Sequence, residues 1–311
     1  MADTRLPTII IPYKWPVTEP SHQDIFVYLR PETNGVRVES LLLGIIRKDP
    51  LYRDNISVAY LANIPGDFIL TNRIIEQHYA DRIYFARRGK QAFTPHMRRV
   101  FEEFFSVGFD EANIIGAFEA LHRRKWSWDE LFQLWVDQKD FCTVNGQTVK
   151  RVDEFYIINY DIPALLHKNN EATDIAVMIF RSKLDSASFA ALVAEFRRGL
   201  VDGGVLSAET PLSHALHYSK SPFEQILDAE GYLYFPGGTH CSLEQIRYAA
   251  WLVEHGISRE MIHGILHHPI MQFRLPDGGV AEEHLFVYTA GDSYDGALAK
   301  LKTAVSQLLF L

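Results

Sequence analysis

The sequence predicts an α+β protein in which mixed or antiparallel sheets are covered by helices. Short apolar runs of strand composition alternate with longer segments whose apolar residues have helical spacing. Three stretches repeat the order strand, polar turn and helix: residues 24–35, 174–185 and 284–295. Hydrophobic residues make up 47% of the 311 residues, which is enough for a large core. We therefore expect ferredoxin-like units, in which two helices pack on one face of a sheet.

The length and one polar interruption predict two domains. Residues 1–23 contain prolines among apolar residues, and we expect them to form an extended arm. Residues 24–168 are predicted to form an N-terminal α+β domain, and residues 174–311 a C-terminal one. The polar run between them, Leu166–Thr173, is typical of a linker. Whether the two halves are related copies is left open by the sequence.

In the first half, local signals define most element ends. Thr94 and Pro95 are typical of a helix N-cap and first helical residue, and Ser127 with Glu130 forms a capping box. The pair Asn145-Gly146 is the strongest hairpin signal in the chain. The predicted strands are 24–29, 56–61, 114–118 and 155–159, and the predicted helices are 38–46, 69–87, 94–105 and 128–136.

The second half is predicted in the same way. Ser242 begins a helix that Gly256 ends, and Pro236–Thr239 is expected to connect a strand to that helix. Asp277–Gly279 is predicted to be a hairpin turn. The predicted strands are 174–180, 232–235, 270–275 and 285–289, and the predicted helices are 186–200, 242–256 and 297–309.

Charge and composition argue against several classes of protein. Asp and Glu number 39 against 31 Lys and Arg, a net charge of −8, which disfavours binding to nucleic acid without regard to its sequence. No apolar window reaches the roughly eighteen residues that a membrane span requires. The two cysteines do not make a disulfide framework, as expected in a reducing compartment. We therefore expect a soluble, cytoplasmic protein.

A short opening motif suggests a family resemblance. Residues 26–32 read Phe-Val-Tyr-Leu-Arg-Pro-Glu, and residues 78–81 read His-Tyr-Ala-Asp. Together with 112–119, these segments resemble the nucleoside-diphosphate kinases, which open with a strand, a Lys-Pro-Asp-Gly-type turn and a helix, and later carry a His-Tyr pair. The resemblance covers roughly a third of the chain. It implies a ferredoxin-like fold with a phosphate or nucleotide site.

The sequence lacks the catalytic element of this family. The sequence contains no Asn-X-X-His-Gly-Ser-Asp segment, which carries the phosphorylated histidine of that family. The phosphoryl-transfer chemistry is therefore not implied for this chain. What the resemblance adds is His78 as a candidate ligand-binding residue.

An anion site is the first kind of site that the residues suggest. Guanidinium groups recognise phosphate bidentately, and turn amides before a helix add partial positive charge. The candidates are Arg30, Gly35 and the basic cluster Arg87, Arg88 and Lys90. The alternatives are a surface ion pair of Arg30 with Glu32 or Glu39, and a solvated helix face for the basic cluster.

Histidines and cysteines suggest weaker candidates. His263 and His267 are four residues apart on a predicted helix, so they share a face, but no third metal ligand has a matching position. We therefore predict no metal site. His240 and Cys241 are sequence neighbours, which does not place their side chains in contact.

The function expected from the sequence is that of a cytoplasmic binding or regulatory protein that holds a small anionic or nucleotide-like ligand or a protein partner. No motif fixes a catalytic chemistry, so the sequence leaves open whether the protein is an enzyme and names no cofactor. The alternative is a phosphoryl-transfer enzyme distantly related to the nucleoside-diphosphate kinases. Phe104, Phe105 and Phe109 are predicted to lie in the core, with the surface of a homo-oligomer as the alternative.

Overall fold

A computed structural model of the chain describes residues 4–15 and 22–309. Its helices and its antiparallel and mixed sheets confirm the predicted α+β class. The strands are β1 (Thr8–Ile11), β2 (Gln23–Leu29), β3 (Ile56–Ile64), β4 (Asn113–Gly116), β5 (Phe141–Val144), β6 (Gln147–Val152), β7 (Phe155–Ile158), β8 (Ile175–Ser182), β9 (Leu216–Tyr218), β10 (Tyr234–Phe235), β11 (Thr239–His240), β12 (Ile270–Arg274), β13 (Val280–His284) and β14 (Ala304–Gln307).

Most helices are short, and several begin at a capping side chain. The α-helices are α1 (Val36–Lys48), α2 (Pro50–Asn55), α3 (Gly66–Thr71), α4 (Ile74–His78), α5 (Ala80–Arg88), α6 (Pro95–Phe105), α7 (Ala117–Arg124), α8 (Trp128–Gln133), α9 (Ile162–Lys168), α10 (Ser186–Asp202), α11 (Pro222–Tyr232), α12 (Arg247–Glu254), α13 (Arg259–His267), α14 (Leu285–Tyr288) and α15 (Tyr294–Leu301). Single turns of 3-10 helix occur at Pro31–Thr33, Gly89–Ala92, Gln138–Asp140, Leu212–His214 and Leu243–Gln245.

The chain divides into two compact units. The first unit contains residues 1–74, 169–266 and 289–302, and the second contains residues 75–168, 267–288 and 303–311. The units therefore interleave along the sequence, unlike the predicted consecutive domains 24–168 and 174–311. The reason is that β8 pairs with both β2 and β3, so strands of the two predicted halves share one sheet. One change of unit, at residues 168 and 169, does fall within the predicted linker.

The first unit is built on a central antiparallel sheet. Among the described residues this sheet has five strands in the order β1-β3-β8-β2-β9. The N-terminal arm that was predicted over residues 1–23 contributes β1, which pairs with β3, while residues 1–3 and 16–21 of that prediction lie outside the described part. Strand β8 is buried along almost its whole length because it has a partner strand on each side.

Two helices cover one face of this sheet. Alternate side chains of β2 and β8 point into a core with the apolar stripes of α1 and α10, including Leu42 and Phe196. In α1 the buried residues Val38, Leu42 and Ile46 recur every four positions, which is the helical spacing that the sequence predicted.

The second unit has an aromatic core. Its mixed sheet has the order β4-β7-β6-β5 in the described residues, with β4 and β7 parallel, and β13-β12-β14 form a separate antiparallel sheet. The rings of Phe93, Phe101 and Phe109 pack edge-on and tilted with centroids 5.4–6.5 Å apart. Phe105 and Phe109 are buried, as predicted for core residues, whereas Phe104 is 43% exposed.

The local end signals are confirmed. The Thr94 hydroxyl accepts a hydrogen bond from the Met97 N–H at 3.1 Å, and Ser127 with Glu130 makes both bonds of a capping box. Asn145 and Gly146 have φ values of 47° and 72° and join β5 to β6. Helix caps and tight turns depend on the side chains and backbone freedom of a few adjacent residues. The sequence of those residues therefore suffices to predict them.

Several predicted elements are wrong in type or extent. The helix predicted over 69–87 is broken between α3 and α4 at Arg73, which has a φ of 52°, and between α4 and α5 at Tyr79, which has a φ of −106° and a ψ of 25°. Residues 285–289, predicted to be a strand, contain α14, and the helix predicted over 297–309 ends at Leu301, after which β14 pairs with β12. The turn Pro236–Thr239 connects β10 to β11 instead of a strand to a helix.

A close backbone approach at Gly66 generates the first prediction. A Cβ atom there would lie 2.0 Å from the carbonyl oxygen of Asn170 and 2.1 Å from that of Thr173, so the backbone would have to move. We expect Gly66→Ala to lower the free energy of unfolding by about 3 kcal/mol, measured by urea denaturation.

Gly44 provides the matched control. It is exposed within α1, and nothing lies within 4 Å of its would-be Cβ. Gly44→Ala should raise the free energy of unfolding by about 0.5–1 kcal/mol through helix propensity. Equal effects of the two substitutions would contradict the packing at Gly66.

Candidate functional site

Strand β2 presents different side chains on its two faces. Ile25, Val27 and Leu29 enter the core with α1 and α10, so Asp24 and Tyr28 lie on the opposite face. Helices α11 and α12 contact β2. A carboxylate buried on a strand requires charged or hydrogen-bonding partners, because its desolvation is costly. Asp24 is such a carboxylate, with an exposed fraction of 4%.

Arg181 supplies the first partner of Asp24. The two residues are directly opposite each other in the pairing of β2 with β8. The Nε and Nη2 atoms of Arg181 donate to the two carboxylate oxygens at 2.7 and 2.8 Å. The Tyr13 hydroxyl donates a third hydrogen bond to Asp24 at 2.7 Å. This carboxylate therefore has the bidentate and additional contacts that compensate for burial.

The protonation states within this group follow from burial and charge. Burial lowers the pKa of Arg181, but its hydrogen bonds to Asp24 and the charge of Asp24 outweigh that effect and raise the pKa above its ordinary value. Burial raises the pKa of the Tyr13 hydroxyl, and the charge of Asp24 raises it further. Arg181 therefore stays charged, and Tyr13 stays a neutral donor.

A second buried arginine lies beside this pair without comparable bonds. Arg247 is the first residue of α12 and is 7% exposed. Its Nη1 atom is 3.9 Å from Asp24 Oδ1, beyond hydrogen-bond distance. Within residues 4–15 and 22–309, no acceptor receives a hydrogen bond from Nη1, although that atom is buried. The guanidinium thus keeps donor capacity that residues 4–15 and 22–309 leave unused.

The position of Arg247 on its helix adds to its positive potential. The N-terminal end of a helix carries partial positive charge, which is unfavourable for a cation at that end. Ile246 occupies the N-cap and makes no side-chain capping bond. A small anion placed at this end of α12 would meet both the guanidinium and the positive end of the helix dipole.

Tyrosines complete the surroundings. The Tyr294 hydroxyl donates to Gln225 Oε1 at 3.2 Å. Burial raises the pKa of that hydroxyl, Asp24 raises it further, and Arg247 and Arg181 lower it. We call Tyr13, Asp24, Arg181, Arg247 and Tyr294 the arginine cluster.

A second polar group lies on the same face of the sheet at the other end of β2. His217 on β9 stacks on Tyr28 with centroids 4.5 Å apart. Its Nε2 atom is 3.2 Å from Asp228 Oδ2 and 3.8 Å from Glu224 Oε1, two carboxylates four residues apart on α11. Ser219 also donates to Asp228 Oδ2 at 2.6 Å. These contacts join β9 to α11.

Burial determines the charge of this second group. It lowers the pKa of His217 to about 4, although Glu224 opposes the shift, and it raises the pKa of Glu224. The imidazole is therefore neutral at pH 7. A neutral imidazole beside fully buried Asp228 fits a structural connection at least as well as a catalytic one.

Two of the residues predicted from the sequence to bind a ligand lie in the first unit. The backbone N–H of Arg30 donates to Ala215 O at 2.8 Å, and its Nε donates to Ser213 O at 3.1 Å. Its guanidinium also lies 5.6 Å from the centroid of Tyr28. Gly35 is the N-cap of α1 with a φ of 147°, a value that favours glycine.

The other predicted ligand-binding residues lie in the second unit. His78 ends α4, is buried and packs against the ring of Tyr79. Arg87 and Arg88 are in the last turn of α5, each with its guanidinium near an aromatic ring, and Lys90 donates to Asp110 O and Ala112 O. Each of these side chains contacts protein groups of its own unit. Their role in ligand binding stays a prediction.

The structure also bears on metal sites and membrane spans. In the described part of the chain, no three His, Cys, Asp or Glu side chains are arranged to bind a metal ion. His263 and His267 do lie on one helix, α13, as predicted. Among the same described residues, no helix combines the length and the hydropathy of a membrane span.

Comparison with known proteins gives no relative to guide the interpretation. No protein-family model, no curated protein and no solved structure matches this chain. The candidate site therefore depends on the geometry alone.

The arginine cluster was missed at the level of sequence. The signals that point to it are single charged residues within apolar elements: Asp24 at the start of DIFVYL, Arg181 at the end of IAVMIF and Arg247 before YAAWLV. Their convergence depends on which strands pair and which helix covers them. No local pattern contains that information.

The contrast between the two arginines generates the second prediction. Arg181→Met removes the partner of a buried carboxylate and should lower the free energy of unfolding by about 3–5 kcal/mol. Arg247→Met removes a buried cation that lacks hydrogen bonds, and it should leave the free energy of unfolding unchanged or raise it by about 1 kcal/mol. Urea denaturation in a buffer of chloride salts measures both. A loss of more than about 2 kcal/mol in Arg247→Met would show that this residue is structural.

The third prediction concerns the pH dependence of stability. Because the pKa of His217 is about 4 in the folded chain and 6.5 ordinarily, the unfolded chain binds the proton more readily. Its contribution to stability, about 3 kcal/mol, is present above pH 6.5 and is lost as the pH falls towards 4. His217→Gln should reduce the slope of stability against pH in that range, whereas His122→Gln, at an exposed histidine, should retain it. The same slope in His217→Gln and the wild type would contradict the burial of a neutral imidazole.

Proposed function

We propose that this protein binds a small anionic ligand at Arg247 and acts as a binding or regulatory protein. One observation carries the proposal: Arg247 is a buried guanidinium whose Nη1 donates no hydrogen bond to any described residue. Buried charged groups are normally paired, and the few that are not are candidates for ligand contacts. The neighbouring carboxylate of Asp24 is bonded to Arg181 and Tyr13, and its Oδ1 atom is 3.9 Å from Nη1, too far to supply the missing acceptor.

The chemistry of the cluster suits an oxyanion. A guanidinium is planar, stays charged and presents paired donors that match carboxylate or phosphate oxygens. Arg181 is held in place by two hydrogen bonds to Asp24, so the region is rigid before a ligand arrives. The first turn of α12 adds backbone N–H groups at its positive end. Recognition would require little reorganisation.

Nucleotide binding, a ferredoxin-like unit and a cytoplasmic location are further parts of the hypothesis, and each depends on a different observation. Nucleotides belong to the anionic class, so nucleotide binding is one form of the proposal. A ferredoxin-like unit is supported by the strand order β3-β8-β2-β9 and by α1 and α10 on one face. A cytoplasmic location is supported by Cys142 and Cys241, which are both free. The phosphoryl-transfer alternative has no observation in its favour beyond the sequence resemblance.

The fourth prediction tests anion binding directly. Sodium acetate, inorganic phosphate and ATP are titrated into the protein by calorimetry, with sodium chloride at equal ionic strength as reference. At least one of these anions should bind in the wild type and raise its thermal midpoint by mass action. Arg247→Met should weaken that binding by at least about tenfold, because it removes a charge-assisted contact.

Arg259→Met is the matched control. Arg259 is an exposed arginine on α13 that pairs with Glu244, so its loss should leave the dissociation constant unchanged. Absence of binding by all three anions, or binding that is equal in Arg247→Met and the wild type, would reject the proposed function.

A further inference from the structure

Within residues 4–15 and 22–309, the charges of the arginine cluster do not balance. Arg181 and Arg247 contribute two positive charges, and Asp24 contributes one negative charge. Asp24 accepts two hydrogen bonds from Arg181 and one from Tyr13, and its Oδ1 atom lies 3.9 Å from Arg247 Nη1. The excess is therefore one positive charge, and it is located on Arg247.

Other charged groups nearby do not cancel this excess. Asp292 is paired with Lys300 at 2.8 Å, so the two together are neutral. Asp295 is exposed in the first turn of α15, where water screens its charge.

An excess of one positive charge favours a ligand with one negative charge. A buried monoanion would leave the cluster neutral, whereas a dianion would leave one negative charge buried beside the Asp24 carboxylate. The desolvation of an uncompensated charge costs several kcal/mol, which is enough to reverse a preference for phosphate. A carboxylate or a phosphodiester carries a single charge, while a phosphomonoester carries two above its second pKa, which is near 6.

Aromatic rings lie next to this charge. Trp251 follows Arg247 by four residues on α12, so the two share a helix face. The Trp251 ring is nearly parallel to the ring of Tyr248, with an interplanar angle of 19° and centroids 5.8 Å apart, and Tyr248 packs against Tyr294 at 4.4 Å. Trp251 is only half-buried. The His255 ring also stacks on Trp251, with centroids 3.8 Å apart and an interplanar angle of 26°. A flat apolar group attached to the anion would therefore contact the part of the Trp251 ring that stays accessible.

We infer that the ligand is a monoanion carried on a flat apolar body, and that the site discriminates against phosphate dianions. This inference rests on the proposed function and adds the charge and the shape of the ligand. It is carried by the charge count at Arg181, Arg247 and Asp24 and by the position of Trp251.

The test compares four probes by calorimetry at pH 8. Benzoate has one charge and a ring, acetate has one charge and no ring, phenyl phosphate has a ring and two charges, and benzamide has a ring and no charge. Benzoate should bind at least about tenfold more tightly than each of the other three. Trp251→Leu should weaken benzoate binding and leave acetate binding unchanged.

A change of pH alters the charge of phenyl phosphate and leaves its shape nearly unchanged, so the two effects on affinity can be separated. Phenyl phosphate becomes a monoanion between pH 8 and pH 5, so its affinity should rise about tenfold across that range. Methyl phenyl phosphate, a diester with one charge at both values, corrects for changes in the protein itself and should show no such rise.

The outcomes distinguish this inference from the proposed function. If phenyl phosphate at pH 8 binds more tightly than benzoate, and Arg247→Met abolishes that binding, the inference about charge is overturned and anion binding stands. If acetate equals benzoate, the inference about the flat body is overturned. If none of the probes binds, the proposed function fails as well.

Discussion

The pairing of β8 between β2 and β3 is the interaction on which the first unit depends. It brings segments more than a hundred residues apart in sequence into one sheet, and it sets the register in which Arg181 lies opposite Asp24. A shift of β8 by one residue relative to β2 would move Arg181 to the face covered by α1 and α10. The same pairing also determines that residues 75–168 form a separate compact unit between the two strands in sequence. The sheet, the polar cluster and the division of the chain thus follow from one strand.

The arginine cluster combines a satisfied ion pair with an unsatisfied cation. The Asp24–Arg181 pair has three hydrogen bonds on its carboxylate and resembles other buried pairs whose geometry offsets desolvation. Arg247 has a similar degree of burial and the dipole of α12 against it, so an apolar side chain at this position would make the unfilled protein more stable. A buried cation that is expected to lower stability and whose Nη1 has no hydrogen-bond partner among the described residues is typical of a ligand-binding position. The polar group around His217 differs, since its hydrogen bonds join β9 to α11.

Sequence patterns predicted those parts of the structure that depend on near neighbours. The cap at Thr94, the capping box at Ser127 and the Asn145-Gly146 turn are confirmed because each is a property of a few adjacent residues. The apolar runs of β2, β3 and β8 were predicted as strands for the same reason. The sequence could not show that Leu285–Tyr288 is helical and Ala304–Gln307 extended, since β12 provides the hydrogen bonds for the latter. The candidate site could not be predicted from the sequence either, because Asp24, Arg181 and Arg247 meet only after β8 has paired and α12 has covered the sheet.

The central claim is that Arg247 holds unused donor capacity for an anion. Nuclear magnetic resonance of the arginine Nε–Hε groups tests it most directly, with benzoate titrated into protein labelled with nitrogen-15 and the two signals assigned through Arg247→Lys and Arg181→Lys. The account predicts a saturable shift of the Arg247 signal and a much smaller change at Arg181, whose Nε already donates to Asp24. An Arg247 signal that does not move, at concentrations of benzoate, acetate and phosphate well above those used for calorimetry, would contradict the account.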